Sequence, residues 1–149
     1  MRMSKWLAAM TAVTVLAACG GGSETSGAAA GTSGADAAAR TGAVQPAPGG
    51  TVHTVEMLTD PSDGANKFVP SDLTVKQGDV IRYVLKTGVH NVHFLPDSNA
   101  NKSGLPEAGP MLQAPGQTHD VAVTFGAGRY YFQCDPHAAL GMVGHVTVQ

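Results

Sequence analysis

Residues 51–149 carry the feature that most constrains the fold, an alternation of β-branched or aromatic residues with polar ones between Gly, Pro, Asn and Asp. Successive side chains of a strand point to opposite faces, so this alternation lets one face be buried while the other meets water. No stretch has the apolar period of an amphipathic helix. We therefore predict an all-β domain with about seven or eight strands. The candidate segments are 52–58, 73–76, 80–86, 89–95, 118–125, 128–134 and 143–148.

The spacing of these segments predicts how the strands are arranged. Short strands separated by turn residues within about 100 residues are typical of a two-sheet antiparallel β-sandwich with Greek-key connections. The turn at residues 77–79 (Gln-Gly-Asp) separates two strands, and residues 126–128 (Gly-Ala-Gly) are predicted to close a hairpin. Residues 96–116 are rich in Pro, Gly and Asn and are predicted to form an irregular excursion.

The first 18 residues are predicted to be a secretion signal. Residues 1–6 are positively charged, and residues 7–18 form an uncharged, mostly apolar run that ends in small side chains. This run is shorter than the roughly 20 residues of a membrane-spanning helix, which disfavours a permanent span. The stretch Leu16-Ala-Ala-Cys19 resembles the lipobox of bacterial lipoproteins, which implies a lipid on the sulfur of Cys19. An ordinary signal peptide with a stray cysteine is the alternative, and both place the chain outside the cytoplasm.

Residues 19–50 are predicted to be a flexible linker between this anchor and the domain at 51–149. They consist mostly of Gly, Ala, Ser and Thr with scattered Pro, and they contain almost no large apolar side chain. Such a segment cannot bury enough surface to offset the entropy of ordering it. We expect the domain to be anchored to a membrane, on the periplasmic side or at the cell surface, with freedom to reach partners near that surface.

The net charge and the cysteine content limit the partners and the kinds of site that the chain can have. The formal net charge is -2, and no basic run indicates a nucleic-acid partner. Cys19 and Cys134 are the two cysteines of the chain, and Cys19 is the predicted lipid site. Cys134 is thus an unpaired thiol in a compartment that permits disulfides, where it is prone to oxidation unless it is buried or bound to a metal.

Three metal-binding side chains lie close together near the C-terminus. Cys134 ends a predicted strand, and His137 and Met142 follow in a short loop. A thiolate, an imidazole and a thioether together suit copper, because soft sulfur favours Cu(I) while imidazole binds both oxidation states. Each residue taken singly is more simply a buried thiol, a surface imidazole or a core thioether. Their presence in one loop favours a metal site, which one more histidine would complete with Met142 as the axial contact.

Two upstream histidines compete for the remaining position. In the predicted strand at 89–95, His90 shares a face with Val92 and Phe94, whereas His93 lies on the opposite face. The face that carries Phe94 is the better candidate for the core. We therefore favour His90 as the ligand and leave His93 open to a role in pH response, docking or a second metal site.

The pattern Cys134-x-x-His137-x-x-x-x-Met142, with His90-Asn91 upstream, resembles the cupredoxins of the plastocyanin/azurin type. Further resemblance lies at residues 68–79, 114–118 and 128–130, the last being similar to the tyrosine corner of the family. The resemblance implies a type 1 blue-copper site with His90, Cys134 and His137 as equatorial ligands and Met142 as the axial one. It also implies that Asn91 ties the two ligand-bearing loops together.

The same resemblance implies a function. It indicates a monomeric one-electron carrier that is not an enzyme and that exchanges electrons with transient redox proteins, such as a cytochrome, an oxidase or a reductase. Electrons would pass at the edge of His137, beside a small apolar patch of Ala138, Ala139 and Leu140. Val89 stands where plant plastocyanins have proline, and residues 96–116 lack their long acidic run, so a photosynthetic partner is not implied.

Two other functions remain open. A copper-handling protein that buffers or delivers the metal would be expected to carry Met- and His-rich runs, and the sequence has none. A copper enzyme would need an open coordination position, for which three strong ligands and Met142 leave no obvious room. The remaining histidines, His53, His119 and His145, are more simply explained as solvated strand residues.

Overall fold

The computed structural model describes residues 43–149. The predicted signal at 1–18, the lipid site Cys19 and most of the predicted linker lie outside these residues. The described part of the chain contains no helix that is long and apolar enough to cross a membrane. Its regular elements are seven strands and two 3-10 helices: β1 (Val52–Thr59), β2 (Asn66–Val69), β3 (Asp72–Val75), β4 (Val80–Leu85), η1 (Asp97–Asn99), β5 (Thr118–Ala122), β6 (Gly128–Gln133), η2 (Asp135–Leu140) and β7 (Val143–Val148).

The strands form two sheets, which confirms the predicted all-β sandwich. One sheet has the order β2-β1-β4-β5, and the other has the order β3-β7-β6. The prediction that the sheets are antiparallel is wrong for two pairs, because β1 pairs with β4 and β3 pairs with β7 in parallel. The chain reaches each parallel neighbour only after contributing strands to the other sheet. Such crossovers are not encoded in the alternation of a single strand.

Two local predictions also differ from the structure, and one strand was missed. Residues 89–95 do not form a regular strand, but an extended segment with isolated bridges from His90 to Leu112 and from His93 to Gln133. It therefore joins the irregular stretch to the end of β6 instead of extending either sheet. The turn at 126–128 is a corner between sheets and not a hairpin, because β5 and β6 belong to different sheets. The short strand β2, which pairs with the end of β1 at the sheet edge, was not predicted.

The core between the sheets is organised around Phe132 in β6. Its ring lies 4.9 Å from that of Phe68, 5.6 Å from that of Tyr83 and 5.5 Å from that of Phe94, measured between centroids. All four side chains are buried. Aromatic pairs in these tilted or edge-to-face arrangements stabilise a core beyond the area they bury. Because side chains two apart in a strand share a face, the packing of Phe132 also directs Cys134 inward.

The corner before β6 is held by Tyr130. Its hydroxyl donates a 2.7 Å hydrogen bond to the carbonyl of Gly126, and its ring is buried. This confirms the predicted tyrosine corner and its structural role. The neighbouring Tyr131 is partly exposed, as the alternation predicts.

The irregular stretch at 96–116 is fastened to β6 through Asn99. The buried Asn99 amide donates to the carbonyls of Leu95 and Tyr131, and its oxygen accepts from the amide of Tyr131. The bonds with Tyr131 satisfy backbone groups at the open edge of β6 that have no hydrogen-bond partner in a neighbouring strand. Residues 96–116 are thus held against β6, the strand that Cys134 follows.

Residues 43–50, which the sequence assigns to the linker, contact the sandwich in the structure. The amide of Val44 donates to the carboxylate of Asp120, and the amide of Ala47 donates to the carbonyl of Gly78. The predicted flexible linker at residues 19–50 otherwise lies before residue 43, and for that part of the chain it stays a prediction.

Candidate metal centre

One tight loop carries the three C-terminal candidate ligands. Cys134 follows β6, His137 lies in the 3-10 helix Asp135–Leu140, and Met142 precedes β7. The amide of His137 donates to the carbonyl of Cys134, the amide of Met142 to that of His137, and the amide of Cys134 to that of Met142. Gly141, at a φ of 90°, ends the helix and turns the chain back. The loop is therefore closed by its own backbone.

His90 reaches this loop from the extended segment at residues 89–95. Its amide and carbonyl exchange hydrogen bonds of 3.1 and 2.8 Å with Leu112, and its side chain is fully buried. The backbone turns into this segment at Gly88, where φ is 86°. His90 is thus held in place by the irregular stretch and not by a sheet.

The structure brings the donor atoms of His90, Cys134 and His137 together. The two histidine Nδ1 atoms lie 3.1 Å apart, and the Cys134 Sγ lies 3.7 Å from the Nδ1 of His90 and 3.4 Å from that of His137. Donors placed in a plane at ordinary metal–nitrogen and metal–sulfur bond lengths of about 2.0 and 2.3 Å would be separated by about 3.5 to 3.7 Å. The spacing therefore fits one shared metal ion. Two imidazoles and a thiol are also the donor set of trigonal copper sites.

Burial shifts the pKa values of Cys134 and His90. Burial raises the pKa of the Cys134 thiol, and backbone hydrogen bonds from Asn91 and His137 only partly oppose it. Burial also lowers the pKa of His90, and the neighbouring His137 acts in the same direction. The pocket thus favours a neutral imidazole, ready to bind a metal, beside a thiol that becomes a thiolate when a cation compensates its charge.

Met142 is fully buried beside these donors. Its carbonyl accepts from the amide of Cys134, and its side chain belongs to the same buried cluster as Phe132 and Cys134. This placement fits a role as the fourth ligand. That role remains a prediction.

Asn91 connects the two segments that carry the donors. Its amide donates a 2.8 Å hydrogen bond to the Asp135 carboxylate, and its oxygen accepts a 2.9 Å bond from the Asp135 amide. Asn91 is buried, although simple alternation would have placed it outward with His93. Asp135 was not singled out from the sequence, because its role depends on a partner 44 residues away.

The other histidines are not part of the donor cluster. His93 lies beside the Asp135 carboxylate at 3.1 Å, which supports the choice of His90 over His93 as the ligand. His53 contacts Asp79 at 2.8 Å, and His145 lies 3.6 Å from Asp72. Burial lowers the pKa of His119, which is only partly exposed, so the expectation of a solvated strand residue fits it least well.

Comparisons with known proteins agree with this site. The family model of copper binding proteins, plastocyanin/azurin family, matches residues 55–149. The chloroplastic plastocyanin of Pisum sativum is 43% identical over 100 residues, which is 63% of this chain and 58% of that protein. That of Silene latifolia subsp. alba is 41% identical over 105 residues, or 66% of this chain and 62% of that protein. The matches thus span about three fifths of these two relatives.

Solved structures show the same similarity. Pseudoazurin from Methylobacterium extorquens AM1 superposes with a TM-score of 0.50 and 31% identity, covering 65% of this chain and 74% of that one. A reduced mutant of amicyanin superposes with a TM-score of 0.51 and 27% identity, covering 66% of this chain and 82% of that one. With the family match spanning most of the sandwich and the donor cluster within it, the chain belongs to the plastocyanin/azurin family of copper-binding proteins.

Proposed function

We propose that this chain is a one-electron carrier whose copper is held by His90, Cys134, His137 and Met142. The convergence of two imidazole nitrogens and a thiol, all within 4.8 Å of one another, carries this proposal. Copper bound there would supply a one-electron couple. Among the similar structures, one is a mutant amicyanin in its reduced Cu(I) form, and another reports a mutant fern plastocyanin both oxidised and reduced. Those proteins support a redox role for the site proposed here.

The protein's own contribution is to hold the donors in one arrangement. The backbone bonds of the Cys134–Met142 loop and the link from Asn91 to Asp135 restrain the ligands before any metal binds. A pocket that need not rearrange when the charge of its occupant changes keeps the reorganisation small. We infer fast electron exchange and no net chemistry on a substrate.

The exposure of the four proposed ligands supports one side of the site as the route for electrons. His90, Cys134 and Met142 are fully buried, whereas His137 is partly exposed. Leu140, which follows His137 in the same helix, is 72% exposed, and Val89, next to His90, is 43% exposed. A small apolar surface of this kind suits transient redox partners, which must dock weakly and release quickly. We propose that such partners dock here.

The N-terminal sequence supports a location of the protein outside the cytoplasm. The predicted signal at 1–18 and the lipobox-like stretch before Cys19 support an extracytoplasmic protein anchored to a membrane by lipid. The partners would then be membrane-associated redox proteins that face the same compartment.

The visible absorption of the purified full chain loaded with Cu(II) tests the proposed function. We expect an intense blue thiolate-to-copper band that disappears on reduction and returns on reoxidation, and that is missing in a Cys134→Ser variant. The Met142→Leu variant, which roughly keeps the volume but removes the thioether donor, should keep the band and change the reduction potential. A colourless Cu(II) complex would contradict the proposal and favour copper handling.

A further inference from the structure

A pair of residues outside the predicted ligand set, Thr59 and Asn66, reaches the far side of the His90 ring through the side chain of Thr59. Thr59, the last residue of β1, is paired across the sheet with Asn66, the first residue of β2. Its hydroxyl oxygen lies 2.7 Å from the Oδ1 of Asn66 and 3.2 Å from the Nε2 of His90. The edge of the four-stranded sheet therefore ends in a chain of hydrogen bonds that leads to the metal-binding ring.

The direction of these bonds follows from the number of protons. The Oδ1 of Asn66 can only accept, so the single hydroxyl proton of Thr59 is donated to it. The Thr59 oxygen is then left with lone pairs facing His90, and it can only accept from Nε2–H. A histidine that carries its proton on Nε2 has a free lone pair on Nδ1. The Nδ1 of His90 is the atom that faces Cys134 and His137.

The chain leaves room for this contact at Gly88. A Cβ at that position would collide with the Thr59 hydroxyl oxygen and stand 2.7 Å from the Nε2 of His90, and the φ of 86° also disfavours any other residue. The backbone of Thr87 hydrogen-bonds the same ring. The ring thus has a backbone partner besides Thr59, and the effect of Thr59 can be separated from that of the backbone by substitution.

We propose that Thr59, oriented by Asn66, is a positioning residue that fixes the Nε2–H tautomer and the orientation of His90. The inference rests on the proposed function in that it treats His90 as a ligand. Ligating histidines generally donate their second ring N–H to an outer partner, and loss of that partner typically weakens metal affinity by roughly 10- to 100-fold. The partner here is a side-chain pair at a sheet edge.

The test compares three variants of the full chain. Thr59→Val keeps the shape of the side chain and removes the hydroxyl, Thr59→Ser keeps the hydroxyl, and Thr54→Val makes the same change at an exposed position of the same strand. Nitrogen NMR of the metal-free chain reports the tautomer of His90, and competition with a chromophoric chelator reports the affinity for Cu(I). We expect Thr59→Val to increase the Nδ1–H population and to lower the affinity by roughly 10- to 100-fold.

The controls separate the possible failures. Thr59→Ser and Thr54→Val should both resemble the unmodified chain, which would exclude a general loss of stability. A blue unmodified chain whose Thr59→Val variant keeps the Nε2–H tautomer and the full Cu(I) affinity would overturn the inference alone, and would show that the backbone of Thr87 suffices. An unmodified chain without the blue band would overturn the metal centre and the role of Thr59 in it together.

Discussion

At the scale of single residues, the site depends on the proposed metal ligands and equally on the side chains that hold those ligands in place by hydrogen bonds. Asn91 exchanges two hydrogen bonds with Asp135 and thereby joins the His90 segment to the loop after Cys134. Thr59 contacts the Nε2 atom of the His90 ring, whereas the Nδ1 atom of that ring faces Cys134 and His137. Each of these contacts spans a large distance in sequence, so each restrains two segments at once.

We expect Asn91→Ala to lower the free energy of unfolding by about 1–3 kcal/mol, because it removes both hydrogen bonds to Asp135 and leaves a gap at a buried position. The variant should also lose copper faster than the unmodified chain. Urea unfolding of the metal-free chain and chelator competition measure the two effects. Ser103→Ala, a change at an exposed loop residue, is the control. Equal stability of the two variants would contradict a fastening role for Asn91.

At the scale of elements, two buried or half-buried carboxylates hold the strands of the larger sheet. Asp79 accepts hydrogen bonds from the amides of Thr51 and Lys76 and contacts His53, which joins the starts of β1 and β4. Asp120 in β5 makes a two-pronged ion pair with Arg82, its register partner in β4. Their ionised forms are therefore part of the fold.

The pKa values of these two groups predict loss of stability in acid. Hydrogen bonds from the Lys76 and Thr51 amides lower the pKa of Asp79, and for Asp120 the bonds from Arg82 and Val44 outweigh the opposing effect of burial and lower its pKa. A carboxyl whose pKa is lowered by folding stabilises the fold above its unfolded pKa of about 3.9, and that contribution is lost as the pH falls through the folded pKa.

We therefore expect the free energy of unfolding to decrease progressively below about pH 4. Asp120→Asn should lower stability at neutral pH and flatten the acid dependence, because one of the carboxyls with a lowered pKa is gone. Urea unfolding between neutral and acid pH measures both, with the exposed Asp97→Asn as the control. An unchanged acid dependence in Asp120→Asn would contradict this explanation.

The edge strand β2 is anchored by one aromatic residue. Phe68 is buried against the rings of Phe132 and Tyr83, whereas its neighbour Val69 is 45% exposed. We expect Phe68→Ala to destabilise the domain by about 3–5 kcal/mol through the cavity it leaves, and Val69→Ala to have little effect. Thermal or urea unfolding distinguishes them. Similar losses in both variants would mean that β2 is held by its backbone ladder and not by Phe68.

At the scale of the whole molecule, the proposed lipid anchor and the sandwich would have separate roles. The described residues contain the donor cluster and the core, and the predicted lipid site Cys19 lies before them. Attachment through several acyl chains would restrict the protein to partners near one membrane surface without changing its site.

We expect Cys19→Ser to move the protein from the membrane fraction to the soluble fraction of the compartment, while the blue band of the copper-loaded chain stays unchanged. Fractionation with immunodetection measures the first, and visible absorption of each fraction measures the second. Retention of the Cys19→Ser variant in the membrane fraction would contradict lipid attachment and support an uncleaved signal segment as the anchor.

The sequence by itself determined the all-β class and the ligand loop. Strand alternation is a local property, and Cys134, His137 and Met142 lie so close along the chain that a single loop must carry them. The choice of His90 over His93 also followed from local alternation, and the structure places His90 among the donors. The tyrosine corner was recognisable for the same reason, since Tyr130 bonds a carbonyl four residues away.

The tertiary structure alone decided which segments meet. The parallel pairing of β1 with β4, the bridges that replace a strand at residues 89–95, and the partners of Asp135 and Thr59 depend on contacts between segments distant in sequence. A strand pattern reports which face of a segment is apolar, but not which segment will cover it. The geometry around the His90 ring was therefore set by how the two sheets and the irregular stretch pack together, because that packing chooses the neighbours of each side chain.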